Sequence, residues 1–195
     1  DKARDPPAVD ACGALDDPSL GDLTDAIASF DDMNLDESLL RGIYAYGFES
    51  PSVIQQRAIR PLACGAHDFI AQAQSGTGKT AAFGIGVLER IDPEDMRTQA
   101  IVLAPTRELA IQIELEAKKL TFESSRTAVV VYGGAPTRGQ LGQLARGVDV
   151  LVATPGRLLD VVASNGVSLD DVRVLVLDEA DRLFNPAFAE AARNK

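Results

Sequence analysis

Hydrophobic and polar positions follow each other along the chain in blocks that predict strands and helices in turn. Short apolar runs recur, and each is followed by a turn and then by a segment whose apolar residues have helical spacing. We expect five strands, at Phe69–Ala71, Ala100–Leu103, Ala128–Val131, Val150–Val152 and Val172–Leu177. Because these runs are almost continuously apolar, they are typical of parallel strands that helices cover on both faces.

The helices are indicated by spacing and by start signals. Apolar residues separated by four, four and three positions predict a helix over Leu109–Leu120. A helix that passes through Leu39 and Ile43 is expected to end at Gly47, since glycine commonly follows the last helical turn. Helix starts are expected where a capping side chain stands alone or precedes proline, at Asp36, Ser50-Pro51 and Thr154-Pro155.

Composition adds a globular body and an acidic extension to this pattern. The chain has 195 residues, of which 46% are hydrophobic, and no apolar run approaches the ~20 residues of a membrane helix. Residues 1–37 hold eleven acidic residues and two basic ones, whereas the rest of the chain is almost neutral. We therefore expect a disordered extension over residues 1–29 and one domain over residues 30–195, with no membrane partner. Cys12 and Cys64 are expected to be free thiols.

A phosphate-binding loop is predicted after the first expected strand. The segment Ala73–Thr80 ends in Gly-Lys-Thr and is followed by a helical pattern, which is the context that a P-loop requires. Gly76 and Gly78 would let backbone N–H groups approach phosphate oxygens, and Lys79 would add a positive charge. The strict motif has glycine where this chain has Ala73, so the match is looser there.

A pair of carboxylates follows the last expected strand. Asp178 stands at the strand end, where P-loop proteins place a second ligand for Mg²⁺, and Thr80 would supply the first. Glu179 points elsewhere and could polarise the attacking water. Alone, these acids could be an ordinary helix N-terminus, but the upstream P-loop favours ATP hydrolysis.

Together the motifs resemble those of the DEAD-box RNA helicases, and their order and spacing agree over residues 29–190. The tetrapeptide Asp178–Asp181 gives the family its name, and Ala73–Thr80 is its motif I. The other matching segments are the Q motif from Gly47 to Gln55 with Phe30 upstream, motif Ia at Ala104–Leu109, the pair Gly133-Gly134, and motif Ib at Thr154–Arg157. The resemblance implies an α/β, three-layer RecA-like P-loop NTPase domain with a mainly parallel sheet that lacks its last strands.

The resemblance also implies roles for individual residues at the nucleotide. Gln55 would read the adenine edge, and Phe30 would pack on the adenine face, although core burial explains Phe30 equally well. Mg-ATP would be held by Ser75, Gly76, Thr77, Gly78, Lys79, Thr80 and Asp178. Lys79, Asp178 and Glu179 would serve catalysis, and Asp181 would link to a later Ser-Ala-Thr motif.

An RNA backbone would be bound along the same sheet edge without regard to sequence. The implied contacts are Pro105, Thr106, Arg107, Gly133, Gly134, Thr154, Pro155, Gly156 and Arg157. Threonines that open helices and neighbouring arginines suit phosphate groups. No aromatic residue is interleaved with these motifs, so base stacking is not expected.

The resemblance implies an ATP-dependent RNA helicase of translation initiation that is monomeric, cytoplasmic and bound to an initiation scaffold protein. A paralogue of the exon junction complex, which would be nuclear, shares much of the pattern. Because no Ser-Ala-Thr motif or second domain follows within the 195 residues, we expect this chain alone to hydrolyse ATP poorly. A DNA translocase and a non-catalytic binding module remain open alternatives.

Overall fold

The computed structural model describes residues 26–65 and 68–184. They belong to two compact units: the N-terminal unit ends at Arg90 and the C-terminal unit begins at Ile91. Residues 1–25 of the expected disordered extension lie outside the described part of the chain, so the domain boundary at residue 30 stays a prediction. No helix among the described residues is long and apolar enough to cross a membrane.

In residues 26–65 and 68–90, the regular elements of the N-terminal unit are helices. Its elements are a 3-10 turn at Asp31–Met33 and the helices α1 (Glu37–Tyr46), α2 (Val53–Cys64) and α3 (Lys79–Glu89). Asp36 caps α1 by accepting hydrogen bonds from the backbone N–H groups of Ser38 and Leu39. Gly47 ends this helix with a φ of 103°, so the predicted start and stop are both confirmed.

Helix α2 begins two residues later than Ser50-Pro51 indicates. Its N-cap is Ser52, which forms a reciprocal capping box with Gln55. A serine followed three residues later by glutamine satisfies two backbone donors, which one Ser-Pro pair cannot do. The predicted start at Ser50 is therefore wrong by this short shift.

Two further expectations for the N-terminal unit are wrong. Phe69–Ala71 forms no strand, and Ile70 is 97% exposed. An apolar run becomes a strand only where another strand accepts its backbone hydrogen bonds, and sequence does not reveal that partner. Cys64 is disulfide-bonded rather than free. The sequence could not indicate this, because spacing along the chain does not show which thiols come together in the fold. Cys12 lies outside the described residues.

The C-terminal unit is a parallel sheet with helices between its strands. The strands are β1 (Ala100–Leu103), β2 (Ala128–Val131), β3 (Val150–Ala153) and β4 (Val174–Leu177). The helices are α4 (Arg107–Leu120), α5 (Thr137–Leu144), α6 (Pro155–Ala163) and the short α7 (Ala180–Leu183). Four of the five predicted strands are therefore confirmed, as are the helix over Leu109–Leu120 and the helix start at Thr154.

The strand order in this sheet is β2-β3-β1-β4. All three pairings are parallel, so the four strands have their carboxyl ends at one edge. The core beside the sheet includes Val131, Leu151 and Val161, each 0% exposed. Burial of such aliphatic side chains stabilises the unit by roughly 1.5–3 kcal/mol per residue.

Strand β4 departs from the expectation of burial on both faces. Among the described strands it pairs only with β1, and Leu175 and Leu177 are 58% and 37% exposed. Their apolar character predicts a central strand, whereas the described sheet places them at its end. The sequence pattern shows that the side chains of a strand are apolar. Whether neighbouring strands and helices bury them depends on the position of the strand in the sheet.

Candidate nucleotide and RNA sites

The predicted P-loop of the N-terminal unit leads directly into helix α3. Gly76 and Gly78 have φ angles of 78° and 90°, which side chains with a Cβ rarely adopt. Helix α3 begins at Lys79, so its unpaired N–H groups face the loop. The ammonium of Lys79 donates to the carbonyl oxygen of Ala73 at 2.6 Å. The side chain of Lys79 therefore reaches back across the loop to Ala73, the position at which the strict motif has glycine.

The N-cap of helix α2 and one residue in its first turn hold this loop through hydrogen bonds. Ser52 Oγ donates to Thr77 O at 2.8 Å, and Gln55 Nε2 donates to Gly78 O at 3.3 Å. Gln55 Oε1 accepts from the backbone N–H of Ser52 at 2.8 Å. Gln55 is only 2% exposed, so its whole amide is engaged within the protein. Sequence reasoning missed Ser52, although the capping-box spacing from Ser52 to Gln55 was visible.

Phe30 is buried, with 1% of its surface exposed. Its ring packs edge-on to Tyr44 at 6.3 Å between centroids and against Phe48 at 6.2 Å. Core burial, one of the two roles weighed for this residue, is what the structure shows. Its packing on an adenine face stays a prediction.

The remaining predicted site segments lie in the C-terminal unit, where backbone hydrogen bonds tie their first residues together. Asp178 N donates to Leu103 O at 3.0 Å, and Ala104 N donates to Ala153 O at 3.0 Å. Thr154 N then donates to Val131 O at 3.2 Å. These three bonds, here called the edge rungs, join the carboxyl ends of all four strands. The loops that follow lie in the order GG pair, motif Ib, motif Ia and DEAD tetrapeptide, across about 14 Å of sheet.

Motif Ia begins helix α4. The Thr106 hydroxyl accepts from Leu109 N at 3.3 Å and so caps the helix. Arg107 is exposed, and its guanidinium lies 4.7 Å from the centre of the Tyr132 ring. Tyr132 directly precedes the GG pair, so the expectation of no aromatic residue among these motifs is wrong. An aromatic residue at a strand end was the overlooked signal.

The GG pair is exposed to solvent, whereas the arginine of motif Ib is buried. Gly133 and Gly134 are exposed, a Cβ on either glycine would meet no atom within 4 Å, and Gly134 has a φ of 84°. Thr154 is the N-cap of α6, with Pro155 in the first turn. Arg157 is turned inward and is 8% exposed.

The DEAD tetrapeptide follows β4. Asp178 Oδ1 accepts from Glu179 N at 3.0 Å, and the carboxylate of Glu179 forms an ion pair with Arg182. Glu179 has left-handed backbone angles, φ 49° and ψ 51°, which are uncommon for a residue with a side chain and recur at functional sites. Asp181 lies exposed in the first turn of α7.

Known proteins resemble this chain over most of its length. A family model described as DEAD/DEAH box helicase matches residues 52–194. "ATP-dependent RNA helicase eIF4A" of Chaetomium globosum is 49% identical over 166 residues, 85% of this chain and 42% of that protein. "Eukaryotic initiation factor 4A" of Caenorhabditis elegans is 46% identical over 182 residues, 93% of this chain and 44% of that protein.

A solved structure agrees with the fold. The DEAD box protein from the hyperthermophile Methanococcus jannaschii superposes with a TM-score of 0.79 at 34% identity, over 87% of this chain and 46% of that one. This chain thus spans less than half the length of the relatives that it matches. With the family model matching most of the residues, the chain belongs to the DEAD/DEAH box helicase family.

Proposed function

We propose that this chain is the ATP-binding domain of an RNA helicase that works in translation initiation, in the cytoplasm. The longer protein would couple ATP binding and hydrolysis to RNA binding and duplex unwinding, with a scaffold protein as partner. The observation that carries this proposal is the identity of 46–49% to initiation factors across 85–93% of the chain. The order of motifs along the sheet edge supports it.

In the N-terminal unit, Lys79 and the P-loop amides would bind the phosphates. Gly76 is open to solvent on its Cβ side, so phosphate oxygens can approach the backbone closely. The Lys79 ammonium would exchange the Ala73 carbonyl for a phosphate oxygen, which is the stronger acceptor because it is charged. Ser75, Thr77 and Gly78 complete the loop, and Thr80 would contribute its hydroxyl to Mg²⁺.

Hard oxygen donors are the ligands that Mg²⁺ prefers, and the hydroxyl of Thr80 and the carboxylate of Asp178 fit that preference. Bound Mg²⁺ supplies charge neutralisation for phosphoryl transfer. Glu179 would orient and deprotonate water in that reaction, and its carboxylate would then exchange Arg182 for the water.

Preference for adenine would come from Gln55. A carboxamide has one donor and one acceptor side, which matches the acceptor and donor on the adenine edge. Both sides of the Gln55 amide now bond to Ser52 and Gly78. Recognition of adenine would therefore release a brace on the P-loop, so base binding and loop position would be linked.

RNA would bind along the edge rungs through its sugar–phosphate backbone. Thr154, the backbone of Gly133 and Gly134, and the exposed Arg107 offer donors at neighbouring strand ends. None of these groups is arranged to read base edges, which supports binding without sequence preference.

Calorimetry with Mg-ATP and the full chain tests the nucleotide proposal. We expect Lys79→Ala to weaken binding roughly ten- to hundredfold, the size expected for a hydrogen bond to a charged group. Lys118→Ala is the matched control, because Lys118 is exposed and pairs with Glu114 on α4. The proposal fails if the unaltered chain binds no Mg-ATP, or if it binds Mg-GTP equally well.

Competition between RNA and DNA strands of one sequence tests the RNA proposal. We expect single-stranded RNA to displace a labelled RNA at lower concentration than DNA does. Equal or stronger competition by DNA would support the alternative of a DNA translocase.

A further inference from the structure

Arg157 has its guanidinium turned into the C-terminal unit, and both of its terminal nitrogens donate hydrogen bonds there. Nη1 donates to Thr137 Oγ1 at 2.9 Å and to Gln140 Oε1 at 3.0 Å, and Nη2 donates to Ala135 O at 3.1 Å. Nε makes no hydrogen bond and lies 3.5 Å from Asp160 Oδ2, within ion-pair distance. The charge of this arginine is therefore partly neutralised and held inside the protein.

Gln140 extends these contacts to the other end of the same loop. It is 7% exposed, accepts from Arg157, and donates from Nε2 to Tyr132 O at 3.2 Å. The segment between β2 and α5, residues 132–136 and here called the GG loop, is thus held at Tyr132 and Ala135, and Arg157 also holds Thr137, the first residue of α5. Gly133 and Gly134 are exposed in this loop, as is Pro136.

Arg107 offers a contrast within the same unit. It is exposed, and its guanidinium packs against the Tyr132 ring. Both arginines are expected RNA ligands by family resemblance, yet they differ in burial and in partners.

We propose that Arg157, through Gln140, is a positioning residue that fixes the GG loop for RNA and does not itself bind phosphate. Arg107 supplies the direct phosphate contact. This inference rests on the proposed RNA binding and goes beyond it, since it assigns a role to Gln140 and divides the two arginines by function.

The salt dependence of RNA binding separates these two roles. Each phosphate neutralised on a single strand contributes about 0.7 to the slope of log affinity against log salt. A positioning residue alters affinity through uncharged backbone contacts, so its loss leaves the slope as it was. Arg107→Gln and Arg157→Gln remove the same charge and are matched variants.

We would measure binding of fluorescein-labelled oligouridylate RNA to the full chain by anisotropy at several KCl concentrations. Arg107→Gln should lower the slope by about 0.7. Arg157→Gln should weaken binding roughly two- to tenfold, the range of a lost neutral hydrogen bond or two, with the slope of the unaltered chain. An equal drop in slope for both variants would overturn the proposal.

Two further variants guard against loss of folding. Arg157→Lys keeps the charge but cannot make three fork-shaped hydrogen bonds, so it should weaken RNA binding as Arg157→Gln does. Gln140→Leu should do the same, and the double variant Arg157→Gln/Gln140→Leu should be no weaker than either single one. Full binding by Arg157→Lys, or additive losses in the double variant, would contradict a positioning role.

A measurement without RNA keeps the two proposals apart. Backbone ¹⁵N order parameters of Gly133 and Gly134 should fall in Arg157→Lys, while those of helix α4 stay unchanged. Unchanged order in the GG loop would overturn the positioning role. If the unaltered chain binds no RNA while the loop loses order, the RNA proposal fails and the positioning of the loop stands.

Discussion

At the scale of single residues, a buried carboxyl away from the candidate site contributes to the pH dependence of stability. Asp149 is 3% exposed, and its Oδ2 accepts from Thr127 N at 2.6 Å and from Thr127 Oγ1 at 2.9 Å. Burial raises the pKa of the Asp149 carboxyl, and the hydrogen bonds from Thr127 only partly oppose this. The neutral carboxyl is therefore favoured in the folded chain.

The pH dependence of unfolding should reveal this carboxyl. Since the pKa of Asp149 is higher in the folded than in the unfolded chain, the folded chain holds more protons between those two values. This group's contribution to the free energy of unfolding is thus full at low pH and is lost as pH rises through the folded pKa. Asp149→Asn should remove that loss, because the amide oxygen can still accept from Thr127.

Urea denaturation between pH 3 and pH 7 would check this prediction. The stability of Asp149→Asn relative to the unaltered chain should increase with pH across the acid range. Glu123→Gln, which removes an exposed carboxyl of the same unit, is the control. A constant difference between Asp149→Asn and the unaltered chain would contradict the prediction.

Residues whose role depends only on their neighbours in the sequence were predictable. The P-loop glycines and the caps at Asp36 and Thr106 depend on neighbours a few positions away, so spacing alone indicates them. Arg157 was not predictable, because an arginine beside a phosphate and one inside the protein have the same local sequence. Its partners Gln140 and Thr137 are 17 and 20 residues away.

At the scale of elements, helix α3 contains Gly86, although glycine has a low helix propensity. Packing against helix α2 explains why a glycine stands there. A Cβ on Gly86 would lie 2.5 Å from Leu62 Cβ of helix α2. The two helices can thus approach closely only at a residue without a side chain. Close packing against α2 therefore explains why a residue of low helix propensity stands in α3.

Replacing two helical glycines by alanine separates the effect of close packing on stability from the effect of helix propensity. Gly86→Ala should destabilise the chain by about 1–3 kcal/mol, because Leu62 must move to accommodate the methyl group. Gly139→Ala in α5 is the matched control, since its Cβ would meet no atom within 4 Å. We expect Gly139→Ala to stabilise by up to about 1 kcal/mol in urea denaturation. Stabilisation by both substitutions would contradict this view of α2 and α3.

At the scale of the whole molecule, the strand order is what the sequence could not supply. Each strand run was visible alone, but the order β2-β3-β1-β4 depends on contacts between segments up to about seventy residues apart. That order leaves β4 with apolar side chains in solvent. Sequence reasoning placed the four motifs of the C-terminal unit at the carboxyl ends of strands, as the structure does, but it left their order along the edge open, and the expected strand before the P-loop is absent from the described residues.

Exposed apolar residues on an edge strand should promote self-association. A strand that pairs on one side offers free backbone groups to another chain, and a charged residue there blocks this. We expect Leu175→Lys to reduce the rise of light scattering with protein concentration. Leu159→Lys, at a residue of α6 that is 61% exposed, should have little effect. If both substitutions reduced the light scattering equally, the added charge rather than the exposed edge of β4 would explain the effect.

The edge rungs also determine where the length of this protein can vary during evolution. One residue inserted into a strand would carry its motif about 3.3 Å beyond its neighbours and turn the following side chains to the opposite face. Residues inserted after a helix has begun would leave every rung intact. Natural insertions and deletions should therefore collect at the amino-terminal edge of the sheet, where Gly147 and Asn165 already turn the chain with positive φ.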